Sequence, residues 1–158
     1  MKSIIRNLLH IFALLYLAMV MGCSSVSSVA VTMSAAQSVN PDINDRPSPI
    51  VARIYELKSL SVFNNADFFN LFEQDVALLG DEMLMRDELH FQPGEVKLLE
   101  RELQPGTRYV GVIGAYRDIE NATWRRSIEI NLHDETTFVI EFGKSGITLQ
   151  KKKVNNLL

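Results

Sequence analysis

Residues 109–116 read YVGVIGAY and set the architecture of the whole chain. The side chains are apolar on both faces of an extended segment, which is typical of a strand inside a sheet and not at its edge. Gly111 and Gly114 interrupt the run, and a glycine in a strand lets a neighbouring backbone or side chain approach closely. The stretch therefore predicts a central β-strand.

Alternating runs surround this central strand on both sides. Residues 49–57 read PIVARIYEL, with Ile50, Ala52 and Ile54 on one face. Apolar residues at every second position of 29–35 predict a first strand with one buried face. Further runs lie at 83–91, 96–103, 124–132, 138–142 and 147–149. Turn signals such as Pro-Gly separate them. The chain therefore predicts an all-β fold of about seven or eight strands packed as a two-sheet β-sandwich.

One segment departs from this period of two. The apolar residues between Asp67 and Leu79 have the spacing of a single helical stripe. They are Phe68, Leu71, Phe72, Val76 and Leu79. Asn64 or Asn65 is expected to cap the start of the helix, and Gly80 suits the position after its end. The segment predicts one amphipathic helix whose stripe, above all Leu71 and Phe72, is buried as core.

The composition restricts the classes of function. A length of 158 residues is that of one domain, and 47% hydrophobic with 22% charged residues excludes a disordered acidic tail. The net charge of −3 argues against a nucleic-acid partner bound through phosphate neutralisation. Cys23 is the only cysteine, so a disulfide within the chain and a Cys-Cys zinc site are both excluded.

The N-terminus predicts a lipoprotein signal peptide. Lys2 and Arg6 precede an apolar run at 7–21, which is short for a bilayer span of ~20 residues. The run ends at Val20-Met21-Gly22-Cys23, which resembles a bacterial lipobox whose cysteine is lipidated. The alternative is an uncleaved anchor in which Cys23 is a buried free thiol.

These signals divide the chain into three parts. We expect a signal peptide at 1–22, a lipidated tether at 23–28 and one domain at 29–158. The residue after Cys23 is Ser24 and not an aspartate, which in such lipoproteins resembles an outer-membrane sorting signal.

Catalytic motifs such as HExxH, GxSxG or a glycine-rich phosphate loop do not occur in the sequence. The triplet His133-Asp134-Glu135 has the residue types of an acid–base or metal cluster, but a polar hairpin turn favours the same residues. A hydrolase built on His133 and Asp134 is the least favoured hypothesis. The sequence therefore predicts that the protein is not an enzyme and takes no metal.

Several motifs together resemble one known family. They are Arg46-Pro47-Ser48-Pro49, RIYEL at 53–57, Ala66-Asp67-Phe68, Ala115-Tyr116-Arg117-Asp118 and Trp124-Arg125. With the lipobox before them, they look like the outer-membrane lipoprotein of the type VI secretion system, the TssJ family (also SciN, VasD or Lip). The resemblance covers roughly Val29 to Leu149, which is nearly all of the mature chain.

The resemblance implies a fold and a role. The fold is a transthyretin-like β-sandwich with added helical elements. The role is an acylated anchor on the periplasmic face of the outer membrane, which binds the periplasmic part of the inner-membrane protein TssM. TssL joins the same trans-envelope complex indirectly. The resemblance implies no cofactor beyond the covalent lipid on Cys23.

In this family the loop between the first two strands is implicated in TssM binding. The matching positions here are Asn40, Pro41, Asp42, Ile43, Asn44, Asp45, Arg46 and Pro47. Because interface energy concentrates in a few apolar or arginine anchors, we expect Ile43 and Arg46 to contribute most. The alternative is that Ile43 folds back onto the sandwich and Arg46 pairs locally with Asp42 or Asp45.

A second function remains open at this stage. The chain is also compatible with a periplasmic lipoprotein that carries a small apolar ligand inside its sandwich. A pocket lined by Trp124, Phe138 and Tyr109 would favour that carrier, whereas a filled core and a protruding loop would favour the secretion lipoprotein.

Overall fold

The computed structural model describes residues 28–130 and 136–152, and these form two four-stranded sheets. The first sheet has the strands β1 (Ser28–Ala35), β4 (Val96–Glu102), β7 (Thr136–Phe142) and β8 (Ile147–Lys152), in the spatial order β4-β1-β7-β8. The second sheet has β2 (Ile50–Leu57), β3 (Met83–Phe91), β5 (Tyr109–Gly114) and β6 (Arg125–Glu129), in the order β3-β2-β5-β6. The predicted two-sheet sandwich is confirmed, with eight strands in the described part of the chain.

Strand β5 is central, as its apolar faces predicted, because it pairs with β2 on one side and β6 on the other. Its glycines are required by close packing. A Cβ on Gly111 would lie 2.7 Å from Cζ of the buried Phe63, and one on Gly114 would lie 3.0 Å from Cε2 of Tyr116. Neither position therefore accepts a larger residue without displacing a core ring.

The core between the sheets is built from the alternating residues of both. Those of β1 and β2 are the residues that the period of two predicted: Val29, Val31, Met33, Ala35, Ile50, Ala52 and Ile54. Phe138, Ile140 and Phe142 of β7 complete this core from the same sheet as β1. Strand β1 is antiparallel to β4 and parallel to β7, so it is held on both sides.

Two helices follow β2 and cover the outer face of the second sheet. They are α1 (Ser61–Asn65) and α2 (Phe68–Leu79), and a 3-10 turn at Gly80–Glu82 leads into β3. The predicted cap of α2 is wrong, because Asn64 and Asn65 belong to α1. Asp67 caps α2 instead, since its side chain accepts a hydrogen bond from the Asn70 backbone N–H at 3.0 Å.

The buried stripe of α2 also differs from the prediction. Leu71 and Leu79 are buried and Phe72 is only half-buried, while Val76 is 62% exposed. The helix departs from helical geometry at Gln74, where φ is −131° and ψ is 25°. This kink turns Asp75 toward the sheet and Val76 toward solvent.

Asp75 is the centre of a buried charge network beneath α2, and it is only 3% exposed. Its carboxylate accepts hydrogen bonds from the Tyr55 hydroxyl at 2.9 Å, from Arg86 at 2.9 Å to each oxygen, and from Arg53 at 3.1 Å. Arg53 also donates to Glu88 at 2.7 Å and to the backbone carbonyl of Phe72. The network therefore ties α2 to both β2 and β3.

The electrostatics of this network favour an ionised Asp75. Burial raises the pKa of the Asp75 carboxyl, but the hydrogen bonds from Arg86 and Tyr55 and the charges of Arg86 and Arg53 lower the pKa more, so that it lies below its ordinary value. Burial, with Asp75 alongside, raises the pKa of the Tyr55 phenol, which therefore remains a proton donor.

None of the helices within 28–130 and 136–152 has the length and apolar character needed to cross a bilayer. The predicted signal peptide, Cys23 and the tether residues 24–27 lie outside the described residues, as does His133-Asp134-Glu135, whereas Ser28, predicted as the end of the tether, begins β1.

Candidate functional site

The loop Asn40–Pro49 lies at the end of the sandwich where β1 finishes, away from Ser28. It forms one wall of an open groove of about 750 Å³. The groove is lined by Asn40, Pro41, Asp42, Ile43, Asn44 and Arg46 from the loop, and by Tyr116, Arg117, Asp118, Ala122, Lys144 and Ser145 opposite. Six of the eight predicted binding residues line it, and Asp45 and Pro47 do not.

Hydrogen bonds within the loop hold it in one shape. The Asp42 carboxylate accepts from the backbone N–H of Asn44 at 2.9 Å, and from the backbone N–H and Nε of Arg46 at 3.0 and 2.8 Å. The Asp42 backbone N–H donates in turn to the Arg46 carbonyl at 2.9 Å. The bonds from Arg46, led by its side chain, hold the pKa of Asp42 below its ordinary value. These hydrogen bonds therefore close the loop around the Asp42 side chain.

Asn40 fastens the base of the loop. It is buried, with a φ of 46°, in the left-handed region that asparagine tolerates better than most residues. Its Nδ2 donates to the Pro49 carbonyl at 2.7 Å, and its Oδ1 accepts from the Arg117 backbone N–H at 2.7 Å. Farther along, Lys144 Nζ lies 2.8 Å from Asp45 Oδ1. The loop is thus joined to both neighbouring segments.

The structure separates the two residues expected to dominate binding. Ile43 is 99% exposed, so the alternative in which it folds back onto the sandwich is wrong. Arg46 forms the local pair that the alternative described, with its Nη2 at 2.6 Å from Asp42 Oδ2. Such an exposed pair contributes little to stability, but here it shapes the loop. Ile43 remains as the unengaged apolar side chain at the tip.

Sequence reasoning missed the opposite wall of the groove. Arg117 is 77 positions from its hydrogen-bond partner Asn40, and no local spacing reveals that contact. The available signal was the motif Ala115-Tyr116-Arg117-Asp118, which carried the family resemblance but received no role.

The residues proposed for a ligand pocket do not line one pocket. Phe138 is fully buried in the core between the sheets, Tyr109 is partly buried against the cluster beneath the helices, and Trp124 packs against both. None of the three lines the groove. Among the described residues, no group of three histidine, cysteine or acidic side chains is placed to hold a metal ion. The geometry therefore favours a protein-binding site over a carrier.

Comparison with known proteins identifies relatives over most of the chain. The family model for the type VI secretion lipoprotein (VasD, EvfM, TssJ) matches residues 27–145. The T6SS lipoprotein TssJ1 from Pseudomonas aeruginosa is 31% identical, with a TM-score of 0.79 over 82% of this chain and 98% of the other. Among curated proteins, no sequence matches significantly.

Two further solved structures have the same fold. Serratia marcescens Lip, described as a membrane-bound component of the type VI secretion system, is 30% identical, with a TM-score of 0.73 over 81% of this chain and 99% of the other. A chain in a structure described as the T6SS protein TssM C-terminal domain from EAEC is 25% identical, with a TM-score of 0.65 over 77% and 99%. Because the family model spans most of the sequence, this chain belongs to the type VI secretion lipoprotein family, whose members are structural lipoprotein components of that secretion system and not enzymes.

Proposed function

We propose that this lipoprotein is acylated on Cys23 after removal of residues 1–22 and is held on the periplasmic face of the outer membrane. In that position its loop Asn40–Pro49 binds the periplasmic part of TssM and anchors the trans-envelope complex, which includes TssL indirectly. The observation that carries the proposal is Ile43, 99% exposed on a loop whose own hydrogen bonds hold it in place.

The shape of the loop supports recognition. A preformed loop loses little conformational entropy on binding, so more of the favourable contact free energy contributes to affinity. Full burial of an exposed isoleucine side chain by a partner contributes about 1.5–3 kcal/mol of favourable free energy to binding. The similar chain in the structure described as the TssM C-terminal domain supports TssM as that partner.

The position of the loop supports the anchoring role. The tether enters β1 at Ser28, and the loop leaves the sandwich beyond the other end of β1. A lipid on Cys23 therefore sets the loop on the side of the domain that faces away from the membrane. A partner that reaches across from the inner membrane meets this side first.

Replacing Cys23 by serine tests the anchor. We expect Cys23→Ser to abolish acylation and release a folded domain into the soluble periplasmic fraction, because a hydroxyl cannot form the thioether to the lipid. Metabolic labelling with a fatty acid and membrane fractionation measure this, and Ser25→Ala is a control that keeps the label. Label retained by Cys23→Ser would remove the lipobox assignment.

Replacing Ile43 by alanine tests the docking loop. We expect affinity for the TssM periplasmic region to fall about tenfold or more, which corresponds to ~1.4 kcal/mol, with unchanged melting. Arg46→Ala should also weaken binding, since it releases the brace on Asp42. Leu98→Ala is a matched control, because Leu98 is also exposed but lies on β4. Parental affinity in both loop variants would move the docking site to the faces of the sandwich.

A further inference from the structure

We infer that the groove beside the loop receives an acidic side chain of the partner protein, which Arg117 binds as an ion pair. The inference rests on the proposed function, since it assumes that the partner docks at this end of the sandwich. It assigns a recognition role to a residue of the wall opposite the loop.

The cationic side chains that line the groove differ in whether they form an ion pair. Arg46 pairs with Asp42 at 2.6 Å, and Lys144 pairs with Asp45 at 2.8 Å. Within the part of the chain that the structure describes, no carboxylate forms a salt bridge with Arg117. The Arg117 charge also lowers the pKa of Asp42, but less than the hydrogen bonds from Arg46 and Asn44 do. Arg117 is therefore the cation of the groove that remains available to a ligand.

The backbone presents Arg117 on a rigid base. Its N–H donates to the buried Asn40 side chain at 2.7 Å, and the preceding Tyr116 is only 5% exposed within the core. On its other side, the Asp118 carboxylate accepts from Asn121 Nδ2 at 2.9 and 3.1 Å. The Arg117 side chain is exposed while its neighbours are held in place.

The chemistry of the groove selects a carboxylate. A guanidinium binds a carboxylate through two parallel hydrogen bonds, and among the described residues no salt bridge of Arg117 has to be broken first. A polyanion fits poorly, because Asp42 and Asp118 also line the groove and would repel it. The exposed Ile43 lies on the facing wall, so the complementary segment is an aspartate or glutamate next to an apolar residue.

Reversal of the charge at position 117 tests this inference. The acylated mature chain in detergent is titrated with the TssM periplasmic region by calorimetry at low and high salt. We expect Arg117→Ala to weaken binding about tenfold, Arg117→Glu to weaken it further, and Arg117→Lys to recover part of the loss. The decrease of affinity with salt should be shallower in Arg117→Ala than in the parent. Arg126→Glu is the matched control, because Arg126 is exposed on β6 and does not line the groove.

The outcomes separate this inference from the proposed function. Parental affinity and salt dependence in Arg117→Glu, with the parent binding TssM, would overturn the inference and leave the docking loop standing. A parent chain that does not bind TssM would overturn both. Should Arg117→Glu melt early, Arg117→Met keeps the apolar stem of the side chain and makes the same test, and its unchanged affinity would equally refute the ion pair.

Discussion

Replacing Asp75 by alanine is expected to lower the free energy of unfolding by about 3–5 kcal/mol, because it breaks a buried ion pair by removing one partner. The carboxylate accepts hydrogen bonds from Tyr55, Arg53 and Arg86, and all but the last of these donors have little access to water. In the variant, the guanidinium of Arg53 and the phenol of Tyr55 each lose an acceptor that water cannot easily replace.

Chemical denaturation of the parent and the variant measures this loss. Glu73→Ala is the control, since Glu73 is an exposed acid on the same helix and its removal should change stability by less than about 0.5 kcal/mol. Equal losses in both variants would mean that the network contributes nothing beyond surface charge.

The stabilisation by Asp75 should depend on pH in a stated direction. Its pKa is lower in the folded state than in the unfolded chain, so the unfolded state binds the proton first as the pH falls. The contribution is therefore complete well above the unfolded pKa of about 3.9 and is lost as the pH falls through the folded pKa. The difference in unfolding free energy between parent and Asp75→Ala should be constant near neutral pH and shrink in acid.

Replacing Leu71 by alanine is expected to cost about 2–5 kcal/mol, because it removes a fully buried side chain and leaves a cavity. Leu71 packs in the cluster between α2 and the second sheet, together with Tyr55, Phe63 and Ile113. Thermal or chemical unfolding measures the loss, and TssM affinity should remain as in the parent wherever the variant is folded.

The matched control lies on the same helix. Val76 belonged to the predicted stripe, yet it is exposed, so Val76→Ala should change stability by less than about 0.5 kcal/mol. A large loss in Val76→Ala would mean that the buried stripe extends to Val76, as predicted from the sequence, and a small loss in Leu71→Ala would mean that α2 does not pack through Leu71.

Part of the fold could be predicted from the sequence, and part could not. The period of two in 29–35 and 50–54 predicted the core face of β1 and β2, because alternation depends only on local geometry. The kink at Gln74 could not be predicted in this way. The kink turns Asp75 toward its partners Tyr55 and Arg86, which lie 20 and 11 positions away in the sequence, on two different strands.

The candidate site was predictable to a similar extent. The predicted strands at 29–35 and 49–57 left a connecting loop between them, and the pairing of Arg46 with Asp42 was among the alternatives. The exposure of Ile43 and the presence of Arg117 across the groove depend on how distant segments meet. Such contacts follow from topology and not from any periodicity of the chain.

The placement of β1 has a mechanical consequence for the proposed anchoring role. In that proposal the tether enters one end of this strand and the loop that binds the partner follows the other end, so a pull between lipid and partner would act along the strand axis. Paired residues flank β1 on both sides, from Ser28↔Glu102 to Ser34↔Val96 with β4 and from Val29↔Thr136 to Ala35↔Phe142 with β7. Tension along the axis loads these hydrogen bonds in shear, together, whereas a pull across the strand would open them one after another. In the proposed arrangement, the sandwich would therefore resist separation of anchor and partner along the direction of the load.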